Sequence, residues 1–273
     1  MINLKKNLLQ IRAILDKEIK LETRFKGKFL LGYFSLLIRF IMPYIILRKL
    51  LEVSLDRSLG IWTADNYLLF LLVGFEFVFM KRLIRVYSVR FQHEKYWKTL
   101  PAVLISPINK FNLLIGIFLS QLIFISIPMG LIITIMIILF PIDIISIIVA
   151  ILILILSCFF LACIGMAVGA LSISLESLWI FFDFFFGFIL IFSCYNYPKE
   201  VFPIYLQPLI IFNPFFYFWD IIRYIWLFGL EFTLFNPDFT VHFIVISSCA
   251  ILGPTIGIPA FNYIYKKYGI VGY

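Results

Sequence analysis

Two histidines are the only imidazole groups in this chain, and their surroundings argue against metal or acid–base catalysis. His93-Glu94 begins like the His-Glu-x-x-His pattern of zinc helices, but Trp97 stands where the second histidine would be. His242 lies far along the chain, near the expected outer end of the last apolar segment. A zinc or histidine-based site needs several ligands close together, so we expect no metal and no catalytic residue.

Phosphate-binding loops are also missing from the sequence. It contains no GxxxxGK[ST] motif. It also contains no GxGxxG motif, because no two glycines are two positions apart. No cluster of acidic residues could hold a metal with a phosphate, as a membrane phosphotransferase would need. We therefore expect a chain that is not an enzyme and binds no cofactor itself. The energy for any energy-requiring work would therefore enter through a partner.

Three charged residues stand inside apolar segments: Arg39, Glu76 and Asp183. Arg39 and Glu76 lie 18 and 19 residues from Arg57, the middle of the link between their segments, so antiparallel helices would bring both to one depth. A lone ion at mid-bilayer costs about 2.5–3.5 kcal/mol on insertion scales. We expect an intramembrane ion pair, either structural or part of a relay. A proton relay would need more such groups than Asp183 alone.

The composition indicates the kind of structural element that must hold these charged residues. The 273 residues are 63% hydrophobic and 14% charged, whereas soluble domains are about 25% charged. Several runs exceed the roughly 20 apolar residues of a spanning helix. The prediction is an all-α polytopic membrane protein whose single transmembrane domain (29–273) has six spans, at about 29–47, 66–86, 111–140, 144–170, 178–194 and 240–265. Small residues from Ser157 to Gly169 favour close helix packing in the fourth span.

The net charge of +8 is explained by membrane topology rather than by nucleic-acid binding. Eight Lys/Arg lie in 1–28, seven in 81–110 and two at 266–267. These are the segments that would face the cytoplasm under the positive-inside rule. The distribution predicts a multi-pass cell-membrane protein with both termini in the cytoplasm, in contact with lipid and not with nucleic acid.

The N-terminal segment (1–28) has the pattern of an amphipathic helix. Leu4, Leu8, Ile11 and Leu15 recur at spacings of four, three and four, with lysines and arginines on the other faces. Such a helix lies in the headgroup plane rather than crossing it. The alternative is a solvated helix against a partner protein.

Two further stretches interrupt the apolar runs. The cytoplasmic loop 89–110 is polar, and Pro101 and Pro107 would bound any short helix within it. The external region 195–239 is apolar but is cut by prolines into pieces of about 5 to 20 residues. Pieces of that length suit re-entrant or interfacial half-helices, with an ordinary aromatic-rich outer loop as the alternative.

Both stretches resemble the ABC transporter type-2 permease family, the membrane subunits of exporters. HEKYWKTLPAVLISPI over 93–108, followed by LLIG over 113–116, is similar to the charged loop "ERE-x-GTLE-x-LL-x-(S/T)P(I/V)" and "LL-x-GK". Pro203 and NPFFYFWDIIRY over 213–224 are similar to "P-x-WLQ" and "NP-L-x-Y-x-(V)(E/D)ALR". The resemblance extends loosely over the whole chain.

The resemblance implies a dimer, homo- or heteromeric, seated on two cytoplasmic ABC ATPase subunits. It implies that these ATPase subunits hold ATP and Mg²⁺. It also implies that the Glu94–Pro107 segment is a coupling helix docking in an ATPase groove, with the N-terminal helix alongside. The coupling residues would be His93, Glu94, Lys95, Trp97, Leu100, Leu104, Ser106 and Pro107. The external gate would contain Pro203, Asn213, Pro214, Tyr217, Asp220 and Arg223.

Three interpretations of function remain open from the sequence. The first is the permease of an exporter that moves a hydrophobic drug, natural product or lipid-type cargo outward. The second is a permease for a polysaccharide or lipid-linked glycan, which would be expected to have a wider channel lined by more polar groups than these spans offer. The third is a membrane-integral lipid-modifying enzyme, which would need a polar cluster near one interface. The sequence does not distinguish the first interpretation from an accessory subunit that anchors an ATPase without transporting a cargo.

Overall fold

The computed structural model describes residues 2–24, 27, 41–42, 44–46, 48–49, 58–63, 65–98, 109–174 and 178–268. These residues are mainly helical, so the all-α class is confirmed. The helices are α1 (Ile2–Thr23), α2 (Tyr67–Tyr96), α3 (Lys110–Leu139), α4 (Ile144–Ser174), α5 (Leu178–Ile191), α6 (Gln207–Ile211), α7 (Pro214–Phe228), α8 (Leu230–Phe235) and α9 (Thr240–Tyr268). Short 3₁₀ turns occupy Lys199–Val201 and Pro237–Phe239. Before α2, β1 (Ser58–Leu59) and β2 (Trp62–Thr63) form a small antiparallel hairpin.

Three helical stretches within the described residues are long and apolar enough to cross a membrane: Phe111–Leu139, Ile144–Ser172 and Pro237–Ile264. They correspond to the third, fourth and sixth predicted spans and indicate a membrane protein. α2 is long enough, but Glu76, Lys81 and Arg82 fall within its first 18 residues. α5 has 14 residues, so at 1.5 Å per residue it is about 21 Å long, shorter than the bilayer's hydrocarbon core. The first predicted span lies mostly outside the described residues, and the count of six stays a prediction.

α2 is one uninterrupted helix of 30 residues, about 45 Å long. The sequence suggests a span ending near residue 86 and a separate short helix in the loop that follows. Instead, α2 continues without a break into the first part of that loop, as far as Tyr96. Residues 99–108 lie outside the described residues, so a short helix there stays a prediction. α2 continues as far as Tyr96 because residues 75–98 contain neither glycine nor proline to interrupt its backbone hydrogen bonds.

α4 packs closely along α2 through the predicted run of small residues. A Cβ added at Gly165 would lie 2.8 Å from the Leu83 carbonyl oxygen, and one at Gly169 would lie 2.8 Å from the Phe91 ring. Ser157 Oγ donates to Met80 Sδ at 3.3 Å further along the same contact. Small residues let two helices in lipid approach closely enough for such backbone contact, so the predicted packing stripe is confirmed.

α9 packs on the opposite side of α4 in a similar way. A Cβ at Gly257 would lie 2.7 Å from the Cys163 carbonyl oxygen. Pro254 and Pro259 lie inside α9, which nevertheless runs for 29 residues. α4 is therefore the central helix of the packed core, between α2 and α9.

α1 docks against the beginning of α3 and the end of α2. Ile14 is buried and occupies the space over Gly116, where a Cβ would lie 2.7 Å from the Ile14 Cβ. The predicted helix is confirmed, but its buried face centres on Ile14 and Glu18 rather than on the whole leucine stripe. Leu4 and Leu8 are exposed, as suits the part of an interfacial helix that faces lipid headgroups.

The 195–239 region, predicted to be external, is broken into short helices, as its prolines predict. α6 and α7 match the two apolar pieces between the proline breaks. α7 has 15 residues, about 22 Å, which is too short to cross a bilayer, and most of its side chains are buried against α2, α4 and α9. This packing fixes the predicted gate residues relative to three long helices.

Candidate functional site

The end of α2 presents an exposed aromatic group to solvent. Tyr96 is 84% exposed and Trp97 is 54% exposed, and the His93 and Trp97 rings lie 5.5 Å apart. The Trp97 amide still donates to the His93 carbonyl at 2.9 Å, whereas Lys98 takes a left-handed φ of 58°. A lysine in that conformation ends the helix, because few side chains adopt it within regular structure.

An ion-pair network behind this aromatic group fastens α1 to α2. Arg90 lies between two carboxylates of α1, with its Nε 2.6 Å from Glu18 and its Nη2 donating to Glu22 at 2.7 Å. Arg82 donates to the other Glu22 oxygen at 2.6 Å. Lys17 donates to Glu94 of α2. The network fixes α1 to the part of α2 that leads into the predicted coupling loop.

Glu18 is the most buried acid of this network. Its side chain is 4% exposed and that of Arg90 is 13% exposed. The Arg90 Nε–Glu18 contact is a close ionic approach whose N–H does not point at the oxygen, so it is not an aligned hydrogen bond. Burial raises the pKa of Glu18, while the charge of Arg90 acts in the opposite direction.

Polar contacts also fix α1 to α3. Asn112 Nδ2 donates to Asn7 Oδ1 at 3.0 Å and to Gln10 Oε1 at 2.7 Å. Asn109 caps the start of α3, and its side chain accepts from the Phe111 amide at 3.0 Å. α1, α2 and α3 thus meet at the two ends of the 99–108 segment.

The predicted coupling residues fall partly within the described structure. His93, Glu94, Lys95 and Trp97 belong to the end of α2, and the side chain of Lys95 is not described. Leu100, Leu104, Ser106 and Pro107 lie outside the described residues. Glu94 is not a free docking group, because it is paired with Lys17 of α1.

The start of α7 is fixed by its predicted gate residues. Asn213 caps the helix: its Oδ1 accepts from the Phe215 amide at 3.1 Å and its Nδ2 donates to the Ile189 carbonyl of α5 at 2.6 Å. Pro214 occupies the first helical position, where its missing N–H costs nothing. Tyr217 donates from its hydroxyl to the Ile211 carbonyl at 2.8 Å. The Asn-Pro pair therefore starts α7 and attaches it to α5.

Arg223 of α7 is a buried cation that binds main-chain carbonyls rather than an acid. Its Nη1 and Nη2 donate to the Cys194 and Tyr195 carbonyls at 2.9 Å each, and its Nε donates to the Phe70 carbonyl at 3.3 Å. The guanidinium also lies 3.5 Å from the centroid of the Phe70 ring. A rigid planar fork with five N–H donors suits three such acceptors, which a lysine would not satisfy together.

The turn over 194–196 lies directly on α2 because of Gly74. A Cβ at Gly74 would lie 1.7 Å from the Tyr195 carbonyl oxygen. Tyr67 of α2 donates from its hydroxyl to the Asn196 carbonyl at 2.8 Å, and Cys194 has a left-handed φ of 56°. Arg223 thereby connects α7, the turn and the first part of α2.

Asp220 pairs with His242, a residue for which the sequence predicts no site role. Its Oδ2 lies 2.9 Å from His242 Nε2, which joins α7 to α9. The His242 ring also lies 5.0 Å from the Tyr217 ring, edge to face. The sequence does not predict the contact between Asp220 and His242, because the two residues lie 22 positions apart on different helices.

The end of α7 and the start of α8 are attached to the turn between α3 and α4. Ser146 Oγ donates to Asp143 at 2.6 Å and accepts from the Leu230 amide at 3.0 Å. Trp226 Nε1 donates to the Phe140 carbonyl at 3.0 Å. The hydrogen bonds from the Ser146 hydroxyl and amide lower the pKa of Asp143. Pro203 is separate from this cluster, in an exposed turn where its carbonyl accepts from the Leu206 amide.

Glu76 is buried in the middle of α2 with 1% of its surface exposed. Within the described part of the chain, neither of its carboxyl oxygens has a hydrogen-bond partner. Arg39 lies outside the described residues, so the intramembrane pair stays a prediction. Asp183 lies on α5, and its side chain is not described.

No group of three or more His, Cys, Asp or Glu side chains that could hold a metal is found among the described residues. Comparison with protein-family models finds no match to the sequence, and the search of curated proteins finds none either.

Proposed function

We propose that this chain is the transmembrane permease subunit of an ATP-driven ABC exporter. It moves a hydrophobic drug, natural product or lipid-type cargo outward, using the ATPase activity of a separate cytoplasmic subunit. Six spans, with the N- and C-termini in the cytoplasm of a cell membrane, and pairing with a second permease are parts of the same proposal. The motif resemblance at 93–116 and 203–224 is its starting point.

The observation that carries the proposal is the continuity of α2. Near the start of this helix, the Phe70 carbonyl accepts from Arg223 and Gly74 packs against the Tyr195 carbonyl. Its other end, at Tyr96, leads directly into exposed Trp97. About 35 Å separates Gly74 from Trp97 at 1.5 Å per residue. An unbroken helix over that length is suited to pass a displacement at its cytoplasmic end to the gate.

The ion pairs with α1 supply the second support. Arg82, Arg90 and Glu94 are held by acids and a lysine of α1, so α1 and the end of α2 move together. An ATPase that pushed on the 99–108 segment would then displace both helices. The mainly apolar, aromatic surfaces of the spans favour an apolar cargo over a glycan.

Affinity purification of the tagged protein from its native membrane in mild detergent tests the proposal. We expect an ABC ATPase subunit to co-purify with the wild type and to be lost from Trp97→Ala and from a swap of the 96–106 loop. Trp97 is preferable to Glu94 as a target, because Glu94→Ala would also release Lys17 of α1.

Tyr205→Ala is the matched control, since Tyr205 is 74% exposed but belongs to the external region. It should retain the ATPase. A chain that purifies without any ATPase, and whose activity does not depend on ATP, would overturn the proposal.

A further inference from the structure

An open groove lies between α8 and the first half of α9, and none of the predicted coupling or gate residues lines it. Its volume is about 450 Å³, within the range of about 300–1,000 Å³ that is typical of small-molecule pockets. The lining residues that matter here are Leu234, Thr240, Phe243, Ser247, Ser248 and Ile251. From Thr240 to Ile251 the groove follows α9 for about 16 Å, at 1.5 Å per residue.

α9 determines the depth of the groove in the membrane. Pro237–Ile264 is one of the stretches long and apolar enough to cross a bilayer, so Thr240 lies near one end of the span and Ile251 near its middle. The Phe243 and Ile251 side chains give the groove an apolar wall, and Ile251 is 65% exposed. A molecule that fills the groove must therefore be apolar along most of its length.

Two serine hydroxyls in the groove are available to a ligand. Ser247 and Ser248 are exposed, and neither side chain forms a hydrogen bond with any residue that the structure describes. By contrast, the exposed hydroxyls of Ser126 and Thr134 on α3 each donate to a carbonyl one turn back. A hydroxyl in an apolar medium is costly to leave unpaired. A ligand with a hydrogen-bonding group at this depth would satisfy it.

The end of the groove at the membrane surface is acidic. Asp238 precedes Thr240 by two residues, and Glu231 lies in the first turn of α8. Both acids are exposed, and neither forms an ion pair with a described residue. The sequence contains no lysine or arginine over 224–265. Two unpaired carboxylates beside an apolar groove attract a cation and repel an anion.

The nearest basic groups of α7 and α9 do not neutralise these acids, because both have other partners. Arg223 donates to three main-chain carbonyls. His242 is buried and pairs with Asp220 of α7. The charge at this end of the groove therefore stays negative.

We propose that the groove binds a lipophilic amine. The ammonium group lies at the membrane surface beside Glu231 and Asp238, and the apolar chain lies along Phe243 and Ile251. Amines with a hydrogen-bonding group about 10 Å from the ammonium fit best, because Ser247 lies seven residues along α9 from Thr240. The proposal rests on the groove alone and not on the exporter function, so it is tested on the purified chain without an ATPase.

Photoaffinity labelling in phosphatidylcholine nanodiscs tests it. The probes are a long-chain amine with a diazirine in its chain and the carboxylic acid with the same chain, and peptide mass spectrometry locates the label. Labelling of the lipid-exposed face of α3, at Leu131 and Ile138, corrects for unequal partitioning into the membrane. We expect the amine to label residues 234–251 at least tenfold more than the acid does after this correction.

Variants of the two acids test the charge preference. Glu231→Gln/Asp238→Asn should lower the ratio of amine to acid labelling at least fivefold, and Glu231→Lys/Asp238→Lys should reverse the preference. Glu200→Gln is the matched control, because Glu200 is an exposed acid of the same 195–239 region that does not line the groove. It should leave the ratio unchanged.

The hydroxyls are tested with a second amine probe, which carries an amide about 10 Å from its ammonium group. Wild type should bind it at least threefold more tightly than the plain amine, as measured by competition with the labelling. Ser247→Ala/Ser248→Ala should bind the two amines equally. Circular dichroism of each variant separates a loss of binding from a loss of fold, and Asp238→Asn replaces the double acid variant if that one is misfolded.

Equal labelling by amine and acid in wild type would overturn the proposal, since the groove would then be an ordinary lipid-facing surface. An undiminished ratio in the acid variants that fold would overturn it as well. So would labelling confined to the monomer fraction in size-exclusion chromatography, because the groove would then be an interface between two copies of the chain.

Discussion

Single residues determine how closely the 194–196 turn approaches α2, and Gly74 is the clearest case. Gly74→Ala would put a methyl group where the Tyr195 carbonyl now lies, and only backbone displacement could relieve the clash. We expect a loss of about 1–3 kcal/mol in the free energy of unfolding, the usual cost of overpacking. Thermal unfolding in detergent measures it.

Gly187→Ala is the matched control for that substitution. Gly187 is also helical, but a Cβ there would meet nothing within 4 Å. It should be neutral or gain up to about 1 kcal/mol from the better helix propensity of alanine. Equal behaviour of the two variants would contradict the close approach of the 194–196 turn.

Glu76 carries the second prediction at the scale of residues. If Arg39 neutralises this buried carboxyl, Glu76→Gln leaves a buried cation and lowers the yield of folded protein, and Arg39→Gln/Glu76→Gln recovers part of the loss. Fluorescence-detected size-exclusion chromatography of the four proteins gives the double-mutant cycle. Independent, additive losses would argue that Glu76 has another role, such as carrying a proton.

Among the helices and their contacts, the attachment of α1 to α2 has a defined pH dependence. Burial raises the pKa of Glu18 above its ordinary value near 4.5, so the folded protein binds this proton more tightly than the unfolded chain. The stability that Glu18 contributes is therefore fully present below pH 4.5 and falls as the pH rises through its raised pKa.

Melting temperatures of wild type and Glu18→Gln across that window measure this contribution. We expect the wild type to lose stability relative to the variant as the pH rises from below 4.5. A difference that grows in favour of wild type would mean that the charge of Arg90 outweighs the effect of burial.

For the whole molecule, the sequence predicts the class and much of the order of helices, because long apolar runs and proline breaks are local signals. Periodicity of apolar residues predicts α1, long apolar runs predict the three apolar spans, and proline breaks predict α6 and α7. The Asn213-Pro214 helix start is likewise readable, since capping involves neighbouring residues.

What the sequence does not predict are contacts between distant residues. The carbonyls that Arg223 binds lie 28 to 153 positions away, and main-chain acceptors leave no side-chain signature. The Glu18–Arg90 pair joins residues 72 positions apart, and no local pattern in the sequence predicts it. The continuation of α2 to Tyr96 was missed because its polar composition resembles a loop.

We propose that α2 connects a partner ATPase to the external gate. The most direct test is the ATP hydrolysis rate of the reconstituted complex carrying Arg223→Lys, with Tyr205→Ala as control. A lysine cannot bind the Phe70, Cys194 and Tyr195 carbonyls together, so the gate end of α2 should loosen while the ATPase stays bound. We predict at least a threefold change in hydrolysis rate relative to wild type and control. An unchanged rate, with the complex intact, would contradict mechanical coupling through α2.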